Sequence, residues 1–123
     1  MGKVTFYRND NRDCVCFLKL DSGERIRIRV FYGPAERFGI HCDYIPVGIM
    51  VDTLEWGGLK AGYTVFSFEI RSDDDATRIA RLPLSKRVDR STPLDLFVDY
   101  LADCSSVAEV KERCAAIRLI SVD

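Results

Sequence analysis

Apolar and polar side chains alternate along much of the first two thirds of the chain, and this period of two predicts β-strands. Seven segments before residue 83 alternate in this way or are rich in β-branched residues. We assign them as strands: Lys3–Arg8, Asp13–Leu20, Arg25–Tyr32, Phe38–Cys42, Ile45–Val51, Tyr63–Arg71 and Thr77–Leu82. Pro46 and Gly48 predict that the fourth and fifth segments are bent or lie at an edge. Ser72–Asp75 separates the last two and predicts a second hairpin with an acidic tip.

The second and third segments form the clearest hairpin, and its register can be predicted. Cross-strand partners must lie on the same side of a sheet, so apolar side chains should meet apolar ones. A two-residue loop would mix the two kinds of side chain, whereas a three-residue loop pairs Leu18 with Ile26. The longer loop also puts Gly23 at the position that requires a left-handed backbone. We therefore predict a three-residue loop.

The pattern changes to a helical one after Pro83. Thr92 supplies an N-cap hydroxyl and Pro93 the first helical residue of one helix. One face of that helix is apolar over Leu94, Phe97, Val98 and Leu101. Ser106 and Glu109 match a capping box and predict the start of a second helix. Leu119–Val122 is a candidate for a final strand.

These elements predict an α+β fold with an antiparallel sheet of five to seven strands and two C-terminal helices packed on one face. The length of 123 residues fits a single domain. In this prediction residues 1–83 are rich in strands, residues 92–118 are helical, and the junction is a change of layer within one domain.

Composition narrows the classes of function. The chain is 47% hydrophobic with a net charge of −1, and its basic and acidic segments are interspersed, which disfavours binding to nucleic acid. No apolar run reaches the roughly 18 residues of a membrane span, and no apolar block of a signal peptide follows Met1. The five cysteines have no regular spacing and are interpreted as reduced thiols, so we expect a cytoplasmic protein without a membrane partner.

A row of three arginines is the first candidate binding surface. Arg25, Arg27 and Arg29 share one face of the third strand at intervals of about 7 Å. Guanidinium groups in a row can bind carboxylates or phosphates, although a solvated strand face is the simpler interpretation. Trp56, beside Gly57 and Gly58, is a second candidate because an aromatic residue on such a turn can anchor an interface.

Candidates for metal binding and catalysis are weaker. Cys14-x-Cys16 together with His41-Cys42 lacks the spacing of a zinc site, and core thiols explain these residues better. Asp73–Asp75 lacks the spaced oxygens of a calcium loop. His41 is the only histidine, and no residue pattern pairs it with a nucleophile. The sequence therefore predicts no metal and no cofactor.

Three segments resemble the N-terminal part of the choloylglycine hydrolase and penicillin V acylase family. Leu101–Glu112 resembles the paired helices of that family, and Asp52–Leu59 is similar to its Asp-Gly-x-Asn-Glu-Lys-Gly-Leu segment. Cys14, followed by a strand, a turn and Arg29, resembles the opening of the family. The resemblance implies an N-terminal-nucleophile amide hydrolase in which Cys14 is the nucleophile and Arg29 orients the substrate. Here thirteen residues precede Cys14, and they would have to be removed to free its amine.

The favoured function is a non-enzymatic interaction or regulatory module, because the sequence shows no coherent catalytic set. Its predicted binding residues are Arg25, Arg27, Arg29 and Trp56. We expect a protein partner, while an acidic or phosphate ligand and self-association remain open alternatives. The alternative function is a diverged thiol hydrolase that uses Cys14 and Arg29.

Overall fold

The computed structural model describes residues 4–8, 14–37, 40–55, 60–83 and 92–123, with side chains described for 15–34, 45–55, 62–83 and 92–123. Five antiparallel strands follow one another across one sheet in chain order. They are β1 Val4–Arg8, β2 Cys14–Lys19, β3 Arg25–Arg37, β4 Ile40–Glu55 and β5 Lys60–Glu69. The helices are α1 Asp73–Ala80, α2 Pro93–Leu101 and α3 Val107–Ala116, and a short 3₁₀ helix follows at Ile117–Leu119.

The β2–β3 hairpin confirms the predicted register. Leu18 pairs with Ile26, and the same register continues to the end of both strands. Gly23 has a φ of 91°, a conformation that glycine adopts without steric cost. The Leu20 N–H donates to the Glu24 carbonyl at 2.8 Å and closes the three-residue loop. Alternation and turn chemistry therefore determine this part of the sheet.

The two longest strands form the centre of the sheet. β3 and β4 run antiparallel over almost their whole length, with register shifts beside Tyr32 and beside Pro34. Pro46 pairs with Tyr32 at the first of these irregularities, so the strand tolerates a residue that cannot donate a backbone hydrogen bond. The register shifts let one continuous strand accommodate both Pro46 and Gly48.

All three helices contribute buried residues to one core on a single face of the sheet. Thr92 and Ser106 accept backbone hydrogen bonds from Asp95 and Glu109, which confirms the predicted N-caps of α2 and α3. Phe97 of α2 is fully buried in this core. The buried positions on the sheet include Cys16, Leu18, Ile26, Ile28, Val30, Ile49, Val51 and Phe68, and those on α2 and α3 include Leu94, Leu101, Val107, Val110 and Cys114.

The predicted set of strands and helices is wrong and is corrected as follows. Thr77–Leu82, predicted as a strand, belongs largely to α1, because Ser72 caps a helix and accepts a hydrogen bond from the Asp75 N–H at 3.2 Å. The described chain therefore has three helices and not two. Phe38–Cys42 and Ile45–Val51 were assigned as separate, bent or edge strands, but the described part of both belongs to β4, which lies inside the sheet. Leu119–Val122 forms no strand.

Candidate functional site

The arginine row lies on the sheet face opposite the core. Arg25, Arg27 and Arg29 alternate along β3 with three isoleucine and valine residues whose exposed fraction is 0%. Since successive side chains of a strand point to opposite faces, the arginines occupy the other face. The described helices pack on the core side. We call this other side the open face; its residues on the three central strands are Val15, Phe17, Lys19, Arg25, Arg27, Arg29, Phe31, Met50, Asp52 and Leu54.

A single buried carboxylate holds two of these arginines. Asp52 is the cross-strand partner of Arg27 on β4 and is only 4% exposed. Its Oδ2 accepts hydrogen bonds from Nη2 of Arg27 and Nη2 of Arg29, both at 2.9 Å. Its Oδ1 accepts a hydrogen bond from the Thr64 hydroxyl at 3.0 Å. Three strands therefore contribute to one polar cluster, which we call the Asp52 cluster: Arg27, Arg29, Asp52 and Thr64.

The cluster keeps Asp52 ionised. Burial alone raises the pKa of Asp52, but the hydrogen bonds from Arg27 and Thr64 and the charges of both arginines outweigh it, so the pKa lies below its ordinary value. A charged Asp52 neutralises one of two guanidinium groups. The cluster consequently retains one positive charge on a face of half-buried side chains.

Contacts to sulfur and to an aromatic ring further restrict the Arg29 side chain. Its Nη2 lies 2.9 Å from the Met50 sulfur, and its guanidinium carbon lies 5.2 Å from the centroid of the Phe31 ring. The guanidinium thus adds a cation–π contact to its ion pair. The Nε atoms of Arg27 and Arg29 are buried and find no hydrogen-bond partner among the described residues, so within that part of the chain some donor capacity of both arginines is unused.

Arg25 lies at the end of the row nearest the hairpin loop. Its cross-strand neighbours are Lys19 on β2 and Leu54 on β4. Half-buried Phe17 is the cross-strand neighbour of Arg27. The open face therefore combines a row of cations with apolar side chains between them.

The structure does not bring every predicted residue to this site. Trp56 lies outside the described residues, and so do the side chains of Cys14, His41 and Cys42. In register, Cys14 pairs with Val30 and not with Arg29. Within the part of the chain whose side chains are described, no group of three or more metal-ligating side chains could hold a metal ion.

Sequence reasoning missed Asp52 and Thr64 as parts of the site. The available signal was a lone carboxylate between apolar residues of a strand, which is costly unless a cation lies nearby. That signal could not assign the partner, because Asp52 and Arg27 are 25 positions apart and the β3–β4 register contains two shifts. Only the assembled sheet brings them together.

Comparisons with known proteins identify no relative of this chain. No family model matches it, and searches of curated proteins and of solved structures find no match. The resemblance to N-terminal-nucleophile hydrolases, which rests on Leu101–Glu112, Asp52–Leu59, Cys14 and Arg29, therefore remains a prediction. Among the described helices, none is long and apolar enough to cross a membrane.

Proposed function

We propose that this chain is a small cytoplasmic, non-enzymatic interaction module that binds an acidic segment of a partner protein on its open face. The observation that supports the proposal is the Asp52 cluster, in which one buried carboxylate fixes two half-buried guanidinium groups and leaves a positive charge. Arg25 and Lys19 extend that charge toward the hairpin loop.

Preorganisation is the physical advantage of such a cluster. A free arginine loses side-chain entropy when it binds a ligand, whereas Arg27 and Arg29 are already held by Asp52. Their side chains are only 23% and 27% exposed, so an approaching carboxylate would meet them in an environment that screens charge less than water does. Guanidinium groups also match the geometry of carboxylates.

The charge and the apolar content of the face favour a protein segment over nucleic acid. The whole chain has a net charge of −1 and therefore lacks the broad positive field of most nucleic-acid-binding domains. Half-buried Phe17, Phe31 and Leu54 lie between or beside the cations. A mixed surface of this kind suits a peptide that carries both acidic and apolar side chains.

Titration of labelled peptides tests the proposal. The probe is a peptide rich in Glu and Leu, with a Gln-for-Glu version of the same peptide as its control, and fluorescence anisotropy gives the Kd. We expect Arg25→Glu to weaken binding about tenfold or more, with a steep dependence on salt. Arg118→Glu is the matched control, because Arg118 lies over the Phe68 ring on the core side and the change in net charge is identical.

Three results would contradict the proposal. The first is equal loss of affinity in Arg25→Glu and Arg118→Glu, which would indicate an effect of net charge alone. The second is equal affinity for the Glu and Gln peptides. The third is tighter binding of single-stranded nucleic acid or inorganic phosphate than of the acidic peptide, since the same variants titrated with these ligands would then identify a different class of partner.

A further inference from the structure

The loop of the β2–β3 hairpin is hydrogen-bonded to the start of α3. The Ser22 N–H donates to the Ser105 carbonyl at 2.8 Å. Oε1 of Glu24 accepts a hydrogen bond from the Val107 N–H at 3.1 Å and another from the Ser22 hydroxyl at 2.9 Å. Glu24 and Val107 are 83 positions apart in the sequence, so these contacts join one end of the sheet to the helical layer.

The Glu24 carboxylate supplies what the first residue of a helix lacks. The first N–H groups of a helix have no partner within it, and they give that end a partial positive charge. The Ser106 hydroxyl accepts only from the Glu109 N–H, at 3.4 Å, and Glu24 accepts from Val107. Val107 is 4% exposed, and a poorly hydrated N–H without an acceptor is costly. Glu24 therefore completes the cap of α3 from a different element.

The same residue borders the cationic end of the open face. The Glu24 carbonyl accepts from the Leu20 N–H and closes the hairpin loop, and Arg25 follows as the first residue of β3. The end of a hairpin opens more readily than its middle. Asp52 holds the other two arginines of the row from the middle of the sheet. A contact at the loop therefore restrains the end of the row that Asp52 does not hold.

We propose that Glu24 is a positioning residue for the open face, because it fastens the hairpin loop to α3 and so holds Arg25 and its neighbour Lys19 in place. The inference rests on the proposed function for its ligand, an acidic partner segment, but the restraint on Arg25 is measurable without a ligand. Preorganisation reduces the entropy lost on binding. The negative charge of Glu24 by itself disfavours an acidic ligand, so charge and positioning act in opposite directions and substitutions can separate them.

Nuclear magnetic resonance of two variants tests the restraint without a ligand. Glu24→Ala and Glu24→Gln both remove the charge, but only the glutamine keeps an oxygen that can accept from Val107. In Glu24→Ala we expect the Val107 amide to exchange about fivefold faster or more. The order parameter of the Arg25 Nε–H bond should fall by about 0.1 or more. Glu24→Gln should stay close to the unmodified chain in both, and Arg29, held by Asp52, is the internal reference. Faster exchange at Val107 with unchanged order at Arg25 would show that Glu24 is a helix cap alone, which overturns the inference.

Affinity for the Glu- and Leu-rich peptide tests the consequence for binding. We expect the Kd of Glu24→Ala to be about threefold higher or more than that of Glu24→Gln, although the two variants have the same net charge. Urea denaturation establishes that both are folded under the conditions of the titration. Equal Kd values for the two variants overturn the inference. An unmodified chain that does not bind the peptide contradicts the proposed function instead, and the order parameter of Arg25 then decides whether Glu24 positions it.

Discussion

The two faces of β3 are built from alternate residues of one strand, yet different forces hold them. On the core face Ile26, Ile28 and Val30 have no exposed surface and pack beneath the helices. On the open face Arg27 and Arg29 meet around the carboxylate of Asp52. The core face gains free energy from every apolar atom that leaves water. The open face must first compensate for the desolvation of three charges.

This difference separates stability from recognition. A buried ion cluster contributes little net stability compared with apolar side chains of the same size, although breaking it is costly. Natural selection for stability alone would not require Arg27, Arg29 and Asp52 together. Under the proposed function, the remaining positive charge of the cluster binds the acidic segment of the partner. Variants on the two faces should therefore behave differently, and they can be ranked by expected effect.

The largest effect should come from the core face. Phe97→Ala removes a fully buried ring that stacks on Phe66, with centroids 6.5 Å apart. We expect the free energy of unfolding to fall by about 3–5 kcal/mol. Urea denaturation measures the change. Leu119→Ala is the control and should change the free energy by less than about 0.5 kcal/mol, because Leu119 is 86% exposed. A loss below about 1 kcal/mol for Phe97→Ala would contradict the packing described for α2.

Removal of the central charge should have the next largest effect. Asp52→Asn leaves two guanidinium groups beside a neutral amide. We expect the free energy of unfolding to fall by about 2–3 kcal/mol. This value is at or below the lower end for a broken buried ion pair, because both arginines are partly exposed. Asp103→Asn is the matched control. Asp103 also pairs with an arginine, Arg113, but the Asp103 side chain is 49% exposed. Asp103→Asn should therefore lower the free energy of unfolding by less than about 1 kcal/mol. Equal losses in both variants would show that burial of Asp52 has no energetic consequence.

Acidification should reduce the advantage of the unmodified chain over Asp52→Asn. The pKa of Asp52 is lower in the folded protein than its ordinary value of 3.8, so the unfolded chain binds the proton more tightly. The stabilisation is therefore complete above the ordinary value and is lost as the pH falls through it toward the folded pKa. Denaturation curves at neutral pH and near pH 3 (roughly one unit below the ordinary pKa) measure the difference between the two proteins. A difference that grows on acidification would contradict the assigned direction.

The sequence was sufficient where the determining contacts are local. The β2–β3 register follows from a glycine turn and simple alternation, and the N-caps at Thr92 and Ser106 follow from residues within one helical turn. The same capping pattern is present at Ser72, which precedes three aspartates in the first turn of α1 and could have predicted that helix. We interpreted them as a hairpin tip because Thr77–Leu82 is partly β-branched. Ile79 is the buried residue of α1, and buried Leu82 follows just beyond the C-cap residue Arg81.

The open face could be predicted only in part. Alternation along β3 was enough to place Arg25, Arg27 and Arg29 together on one face of that strand. It could not predict Asp52, because the β3–β4 register depends on irregularities near Pro46 and on packing across the whole sheet. A strand partner 25 positions away is determined by global topology rather than by local pattern.

The smallest effect on stability should come from replacing the whole cluster. In the triple variant Arg27→Met, Arg29→Met, Asp52→Leu, apolar side chains of similar length fill the same space, so no charge is left unpaired. Thr64 is exposed, so its hydroxyl can donate a hydrogen bond to water in place of Asp52. We expect the free energy of unfolding to stay within about 1 kcal/mol of the unmodified chain.

Binding of the acidic peptide should nevertheless be lost in the triple variant, because its fixed guanidinium groups are gone. Urea denaturation measures the stability of the triple variant, and fluorescence anisotropy on the same preparation measures its binding. Asp52→Asn alone is the comparison, because it breaks the cluster but keeps both guanidinium groups. A triple variant destabilised by 3 kcal/mol or more, the approximate cost of a broken pair, would show that the open face is a structural element like the core face. Preserved stability with lost binding would assign the core face to folding and the open face to recognition.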